Sequence, residues 1–281
     1  MKPFIIICIL FPLSALAHPG IGIVKNSKGE IYYTDLQQVW KITGDQKTIA
    51  VPNVHTHELY IDEKDNLYGQ HEYNPDDTTF YHYLWVLRPN GQLDTLVDPR
   101  LAYQQVDFSL ARDKRGNEYY TKQFLKQKDT AHIYIKTPDG KESIFARGRF
   151  KGVTWLHPQD DGSLLFVQHN HIYRAYPNGK VQTIAKNIAA AKPSFHFSGD
   201  SPTVWGVWQD AARNIYVAVF SDQVVKKITP KGVVSNYYQS KGNWAPNHGV
   251  FDDEGQLWLL ESSDKNEIRV IKASPTPPNK N

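Results

Sequence analysis

Short runs in which apolar and polar positions alternate recur along the chain, each stopped by a turn rich in glycine, asparagine or aspartate. A period of two is the signature of β-strands, and here the same polar turn followed by the same kind of strand appears six times. The copies read Gly29-Glu-Ile-Tyr32, Asp65-Asn-Leu-Tyr68, Gly116-Asn-Glu-Tyr119, Gly162-Ser-Leu-Leu165, Asn214-Ile-Tyr216 and Gly255-Gln-Leu-Trp258. Aligned on Ile31, Leu67, Glu118, Leu164, Ile215 and Leu257, they fall 36, 51, 46, 51 and 42 residues apart. That interval holds four strands.

A second apolar strand follows each copy and, in four of them, ends in a proline turn with a glycine two residues later: Arg88-Pro-Asn-Gly91, Thr137-Pro-Asp-Gly140, Tyr176-Pro-Asn-Gly179 and Thr229-Pro-Lys-Gly232. Proline presets φ and glycine accepts a positive φ, so these are hairpins. Val39-Trp-Lys-Ile-Thr-Gly44 is a shorter version. A short, mostly apolar strand precedes each polar turn, as in Gly22-Ile-Val-Lys25, Glu58-Leu-Tyr-Ile61, Gly206-Val-Trp208 and Gly249-Val-Phe251.

This order of motifs resembles NHL repeats and the related SMP-30/gluconolactonase and strictosidine-synthase-like propellers, over roughly residues 20 to 272. The fold expected is all-β, a six-bladed β-propeller of four-stranded blades, spanning 18–272 as one domain. Sandwich arrays do not repeat one turn chemistry at this interval, and solenoid coils are shorter. Blade six is expected to be incomplete, because after Glu267-Ile-Arg-Val-Ile-Lys272 only the segment 273–281 remains. Its three prolines cannot pair in a sheet, and it reads as a disordered tail.

The first seventeen residues change the picture of where the protein works. Lys2, the apolar run Phe4 to Leu13 and Ala15-Leu16-Ala17 have the parts of a cleaved secretory signal. Ten apolar residues are too few to span a bilayer, which takes about 20. The mature chain is therefore expected to begin at His18, in a periplasm or outside the cell, with no membrane span. The single cysteine, Cys8, lies in the removed segment, so no disulfide is expected. Without Lys2 the chain has 31 basic and 29 acidic residues, interspersed, which argues against nucleic acid as a partner.

In a propeller, the lead-in to each innermost strand and the loop between second and third strands open on one face, around the mouth of the central channel, where function is usually mounted. Most of the histidines fall there. His18 leads into blade one, His55 and His57 into blade two and His248 into blade six; His71, His169 and His171 lie on second-to-third-strand loops. His57, Trp205 and His248 are aligned as equivalent lead-in positions, with Asp107 or Phe108 in that place in blade three.

Imidazole is the commonest metal-binding side chain, so His57 and His248 with His18 or His71 would suit Zn²⁺, Cu²⁺ or Fe²⁺. An N-terminal His18 would also offer its α-amino nitrogen, an arrangement similar to the copper brace of lytic polysaccharide monooxygenases. The plainer reading is that these histidines bond to backbone or line a wet channel.

Resemblance to NHL-type propellers such as peptidylglycine-amidating lyase, whose metal is held by histidines of several blades, implies a metal-dependent lyase or hydrolase, with Glu58 or Glu72 as base. That enzyme's catalytic tyrosine and arginine have no counterpart among these motifs. Gluconolactonase-like enzymes use carboxylate and amide oxygens around a divalent cation, where this sequence offers histidines.

The alternative is a non-catalytic module whose rim binds a small molecule, glycan or peptide. Asp107, Trp205 and Trp244 are its candidate contacts, although inner strands also need bulky side chains for packing. The long connection Asn187 to Thr203 could serve as a lid over the same face. No nucleophile elbow, phosphate loop, His-Glu-x-x-His or paired-cysteine motif is present.

Overall fold

A computed structural model describes residues 22–76, 79–101, 109–122, 132–150, 152–190 and 203–275. The described strands form six small antiparallel sheets, one per repeat. Blade one is β1 (Ile23–Lys25), β2 (Ile31–Thr34), β3 (Val39–Thr43) and β4 (Gln46–Val51). Blade two is β5 (Leu59–Ile61), β6 (Leu67–Asp76), β7 (Thr79–Leu87) and β8 (Leu93–Leu101). Blade three has β9 (Glu118–Thr121), β10 (Ile133–Lys136) and β11 (Glu142–Ala146), with an Arg112–Glu118 bridge where the innermost strand stands elsewhere.

Blade four is β12 (Val153–Pro158), β13 (Leu164–Gln168), β14 (His171–Ala175) and β15 (Val181–Ala185), and blade five is β16 (Val207–Gln209), β17 (Ile215–Val219), β18 (Val224–Ile228) and β19 (Val234–Gln239). Blade six has β20 (Trp244–Phe251), β21 (Leu257–Ser263) and β22 (Ile268–Ala273). The six-bladed propeller and its three-stranded last blade are thus as the sequence led us to expect. Ala273, placed in the tail by the sequence, instead closes β22, buried and paired with Leu257.

The repeated polar turn owes its shape to a residue upstream of the motif. In blade two the Asp62 carboxylate accepts hydrogen bonds from the Asn66 backbone (2.9 Å), the Asn66 amide (2.8 Å) and the Tyr68 hydroxyl (2.9 Å). Asp113 with Asn117 and Tyr119, and Asp210 with Asn214 and Tyr216, repeat the set, and Asp252 with Gln256 and the Trp258 indole is a variant. Partial burial opposes the charge on Asp62, but these donors outweigh it and hold the carboxyl below its usual range. One carboxylate therefore stitches both ends of the turn to the aromatic ring of the strand that follows.

Packing between neighbouring blades supplies the core, in place of a single central mass. Leu165, Val167 and Ile172 of blade four meet Val207, Val217 and Val224 of blade five; Trp208 and Tyr216 of blade five meet Leu257 and Leu259 of blade six. The ring closes where Ile23, Ile31 and Tyr33 of blade one pack against Leu260 of blade six, with Val250 and Trp258 around them and a Lys25–Asp253 ion pair at the edge. Among the described residues no strand is shared between first and last blades, so side-chain burial closes the ring.

Candidate functional site at the channel mouth

The strand registers fix which residues share a level of the channel. Ile31 pairs with Lys25, Leu67 with Ile61, Glu118 with Arg112, Leu164 with Pro158, Ile215 with Gln209 and Leu257 with Phe251. Three residues further upstream on the inner strands lie Gly22, Glu58, Ser109, Trp155, Gly206 and His248. The equivalence read from sequence is therefore off by one. His248 shares its level with Glu58 and Gly206, and His57 and Trp205 stand one position earlier.

Two of the six positions are glycines, and both are tightly enclosed. A Cβ on Gly206 would lie 2.4 Å from the Asn247 carbonyl oxygen and 2.7 Å from Cδ2 of His248. The space this leaves lets the Trp155 ring of blade four reach across blade five to His248 of blade six, with ring centroids 4.9 Å apart, while the Trp155 indole donates to the Val207 carbonyl (3.0 Å). Trp208 (5.4 Å) and His157 (6.5 Å) complete the surround of His248. Burial lowers the pKa of His157 to about 4, so it is neutral at physiological pH. The indole N–H groups of Trp205 and Trp208 are buried and have no acceptor among the described residues.

The second group is on blade two. Burial, and then the neighbouring Glu72, push the Glu58 carboxyl up from 4.5 to about 7. Glu72 lies with an oxygen 3.8 Å from Nε2 of His57 and accepts from the Gln70 amide (2.8 Å). The lead-in runs along the edge of β6, where the Glu72 backbone N–H donates to the His55 carbonyl (3.0 Å) and the His55 N–H donates to Nδ1 of His71 (2.8 Å). The His55 and His57 rings meet edge to face at 4.7 Å. Glu58, Glu72 and His57 thus lie close together on blade two. His55, which stands two residues before His57 and could on an extended strand share a site with it, lies against the same group.

Other candidates are placed less centrally. The Arg269 guanidinium covers the Trp244 ring at 3.9 Å and is itself tied to the buried Glu261 (2.7 Å), which occupies one face of the ring proposed for stacking. Nδ1 of His171 accepts from the Asn187 backbone (3.0 Å), and His169 takes a left-handed turn conformation (φ +56°). Both act in loop structure. The first seventeen residues, His18, Asp107 and Phe108, and most of the Asn187–Thr203 connection lie outside the described residues.

A transition metal needs three or four nitrogen, sulfur or oxygen donors converging on one point. Among the described residues no three His, Cys, Asp or Glu side chains stand together as metal ligands. Nδ1 of His71 is engaged by backbone and His248 is packed between indoles. These groups do not fit a preformed centre.

The arrangement is a six-bladed propeller that brings Glu58, Glu72 and His57 together on blade two and packs His248 among Trp155, Trp208 and His157. No known family and no curated protein matches the sequence. Solved structures do match in fold: a gluconolactonase from Xanthomonas campestris (13% identity over 92% of this chain and 86% of that one, TM-score 0.61), a streptogramin B lyase (14%, 94% and 86%, 0.53) and an auxiliary nutrient binding protein from Bacteroides ovatus (13%, 93% and 70%, 0.60). At such identities the likeness shows the fold alone.

Proposed function

We propose that this protein is a lyase or hydrolase of small molecules that works by proton transfer at the channel mouth. The observation that carries the reading is the Glu58–Glu72–His57 group, with one carboxyl near neutrality beside a second that faces an imidazole at 3.8 Å. Near pH 7 Glu58 is present in both protonation states, which suits it to take a proton from water or from an acidic C–H and to return it. If His57 takes up a proton, Glu72 forms an ion pair with it. His57 can then act as the acid that protonates a leaving group. Fold neighbours that include a gluconolactonase and a streptogramin B lyase are compatible with such chemistry. The leader-like first seventeen residues support export, to a periplasm or beyond the cell.

The test has two readouts. Purified protein is offered glucono-lactone and quinupristin, and ring opening is followed by mass spectrometry. Glu58→Gln is expected to lower turnover by about 10² or more, the usual contribution of a positioned acid–base group. Carbon-13 NMR of the glutamate carboxyls needs no substrate, and Glu58 titrating in the ordinary carboxylate range would overturn the assignment.

A binding module is the second reading, favoured by the buried indole N–H groups of Trp205 and Trp208, which a ligand oxygen would satisfy. It predicts ligand affinity that depends on Trp208 and not on Glu58.

A further inference from the structure

Blade two is built differently from its neighbours, and the difference lies on the face of the sheet away from Glu58 and Glu72. Its middle strands run for 10 and 9 residues, where those of blade one run for 4 and 5. At about 3.3 Å per residue the excess lifts a hairpin roughly 16 Å above the mouth of the channel. Cross-strand partners share a face. His71 is paired with Tyr83 and Tyr73 with Tyr81, so all four rings line one side, while Glu72 and His82 line the other.

The rings form a continuous ladder. His71 lies 5.0 Å from Tyr83 and 5.3 Å from Tyr73, and Tyr73 stacks with Tyr81 at 5.7 Å. Tyr83 packs below against the hydrophobic cluster shared with blade one, which places the ladder over blade one. That blade's own connection at this end is only Asp35 to Gln38. All four rings remain partly exposed, so the hairpin is a wall standing over a low floor.

The corner between wall and floor is strained. Leu36 of the blade-one connection is buried with φ +70°, a conformation that a bulky residue adopts only when its surroundings impose it. It is held by the Thr34 hydroxyl, which accepts from its N–H (3.0 Å), and its carbonyl meets Nδ1 of His55 at 2.8 Å. A carbonyl can only accept, so Nδ1 of His55 carries a proton, and the neutral ring keeps its lone pair on Nε2. Nδ1 of His71 accepts from the His55 backbone, so neutral His71 carries its proton on Nε2. Burial and His55 lower the pKa of His71 and keep it neutral. Two adjacent imidazoles thus have opposite, fixed tautomers, one an acceptor and one a donor.

We propose that this corner is a binding subsite for a neutral saccharide, with pyranose rings stacked on Tyr73 and Tyr81 and one hydroxyl held between His55 and His71. A hydroxyl donates and accepts at once, which is what the two imidazoles require of a shared partner. The ladder is uncharged: burial raises the pKa of Tyr83 and so keeps it a phenol. It therefore offers a charged ligand no counter-charge, while its flat rings and phenolic groups suit the C–H faces and hydroxyls of a sugar. The subsite does not rest on the acid–base reading: its stacking rings stand on the face of the hairpin opposite Glu72, and only His55 also touches that group, through the His57 ring.

An array of neutral linear oligosaccharides, made of β-1,4-glucan, α-1,4-glucan, xylan and mannan hexamers, supplies the probes. The strongest is then titrated by calorimetry. Tyr73→Ala and Tyr81→Ala, both on the projecting hairpin and checked for unchanged thermal unfolding, are each expected to weaken binding about tenfold, equivalent to about 1.4 kcal/mol. Glu58→Gln is expected to leave affinity within about twofold, which separates this subsite from the proposed reaction. Long-range nitrogen-15 NMR is expected to report His55 protonated on Nδ1 and His71 on Nε2. Failure of every neutral hexamer to bind at millimolar concentration, binding that survives both tyrosine variants, preference for peptides or planar aromatic probes, or the reverse tautomers would each overturn the proposal.

Discussion

Replacing Glu58 by glutamine tests the raised carboxyl through stability, with no substrate needed. Burial and Glu72 move this group from 4.5 to about 7 in the folded protein. Between those two values the folded state keeps a proton that the unfolded chain has released, so the stability linked to Glu58 is fully present below 4.5 and is lost as pH rises through 7. At about 1.4 kcal/mol per pH unit the loss would reach about 3 kcal/mol. Partial solvent access to the carboxyl reduces this toward 1–2 kcal/mol, roughly half of the unscreened figure.

Glutamine copies the neutral form at every pH. Urea unfolding of wild type and Glu58→Gln is therefore expected to give similar stabilities at pH 5, and a variant more stable by about 1–2 kcal/mol at pH 8. The expected sign is unusual, since most substitutions destabilise. Identical pH dependence in the two proteins, or a variant that is less stable at pH 8, would refute the placement of Glu58 in a desolvated site beside Glu72.

Three further outcomes follow from the packing and the donors. Leu260→Ala removes a fully buried side chain from the contact between first and last blades and is expected to cost about 2–5 kcal/mol, measured by denaturant unfolding; a cost below about 1 kcal/mol would mean that the ring is closed by something else. Gly206→Ala puts a methyl 2.4 Å from the Asn247 carbonyl and is expected to shift the His248 ring, seen in its proton NMR shifts, because backbone cannot yield as a flexible side chain can. Elemental analysis of protein purified without chelators is expected to find well under one equivalent of zinc, copper or iron; a full equivalent lost in His57→Ala would show instead that His18 completes a centre with the histidines described here.

The blade architecture was legible because a turn repeats its chemistry. Glycine or a polar residue at a left-handed position, followed by an apolar pair, recurs at an interval that holds four strands, and nothing about tertiary packing is needed to see it. The carboxylate that braces the turn was as visible, since Asp62, Asp113, Asp210 and Asp252 all stand four residues before an Asn or Gln. It went unread because the alignment began at the glycine. The levels of the channel were misjudged for a different reason. A one-residue error in a strand moves a side chain to the other face, and matching Gly249-Val-Phe to Gly206-Val-Trp by their glycines set blade six one residue out of step, since Gly249 is level with Val207. Counting nine residues back from each aligned position would have found Gly22, Glu58, Ser109, Trp155, Gly206 and His248.

That level shows how a repeat can become a site. Six equivalent backbone positions carry two glycines, a serine, a tryptophan, a histidine and a glutamate, although the strands around them keep one pattern of apolar residues. The glycines matter through what they leave out. Gly206 lets Trp155 and His248 meet across an intervening blade, and Gly22, whose Cβ would press on Leu59 at 2.9 Å, holds blade one close against the strand that bears Glu58. Inner strands with bulky residues at all six positions would fill the channel with side chains and have no room for a ligand. Omitting two of them lets neighbouring side chains and strands close in at that level while the inter-blade clusters stay buried, so the six positions differ without weakening the contacts that hold the blades together.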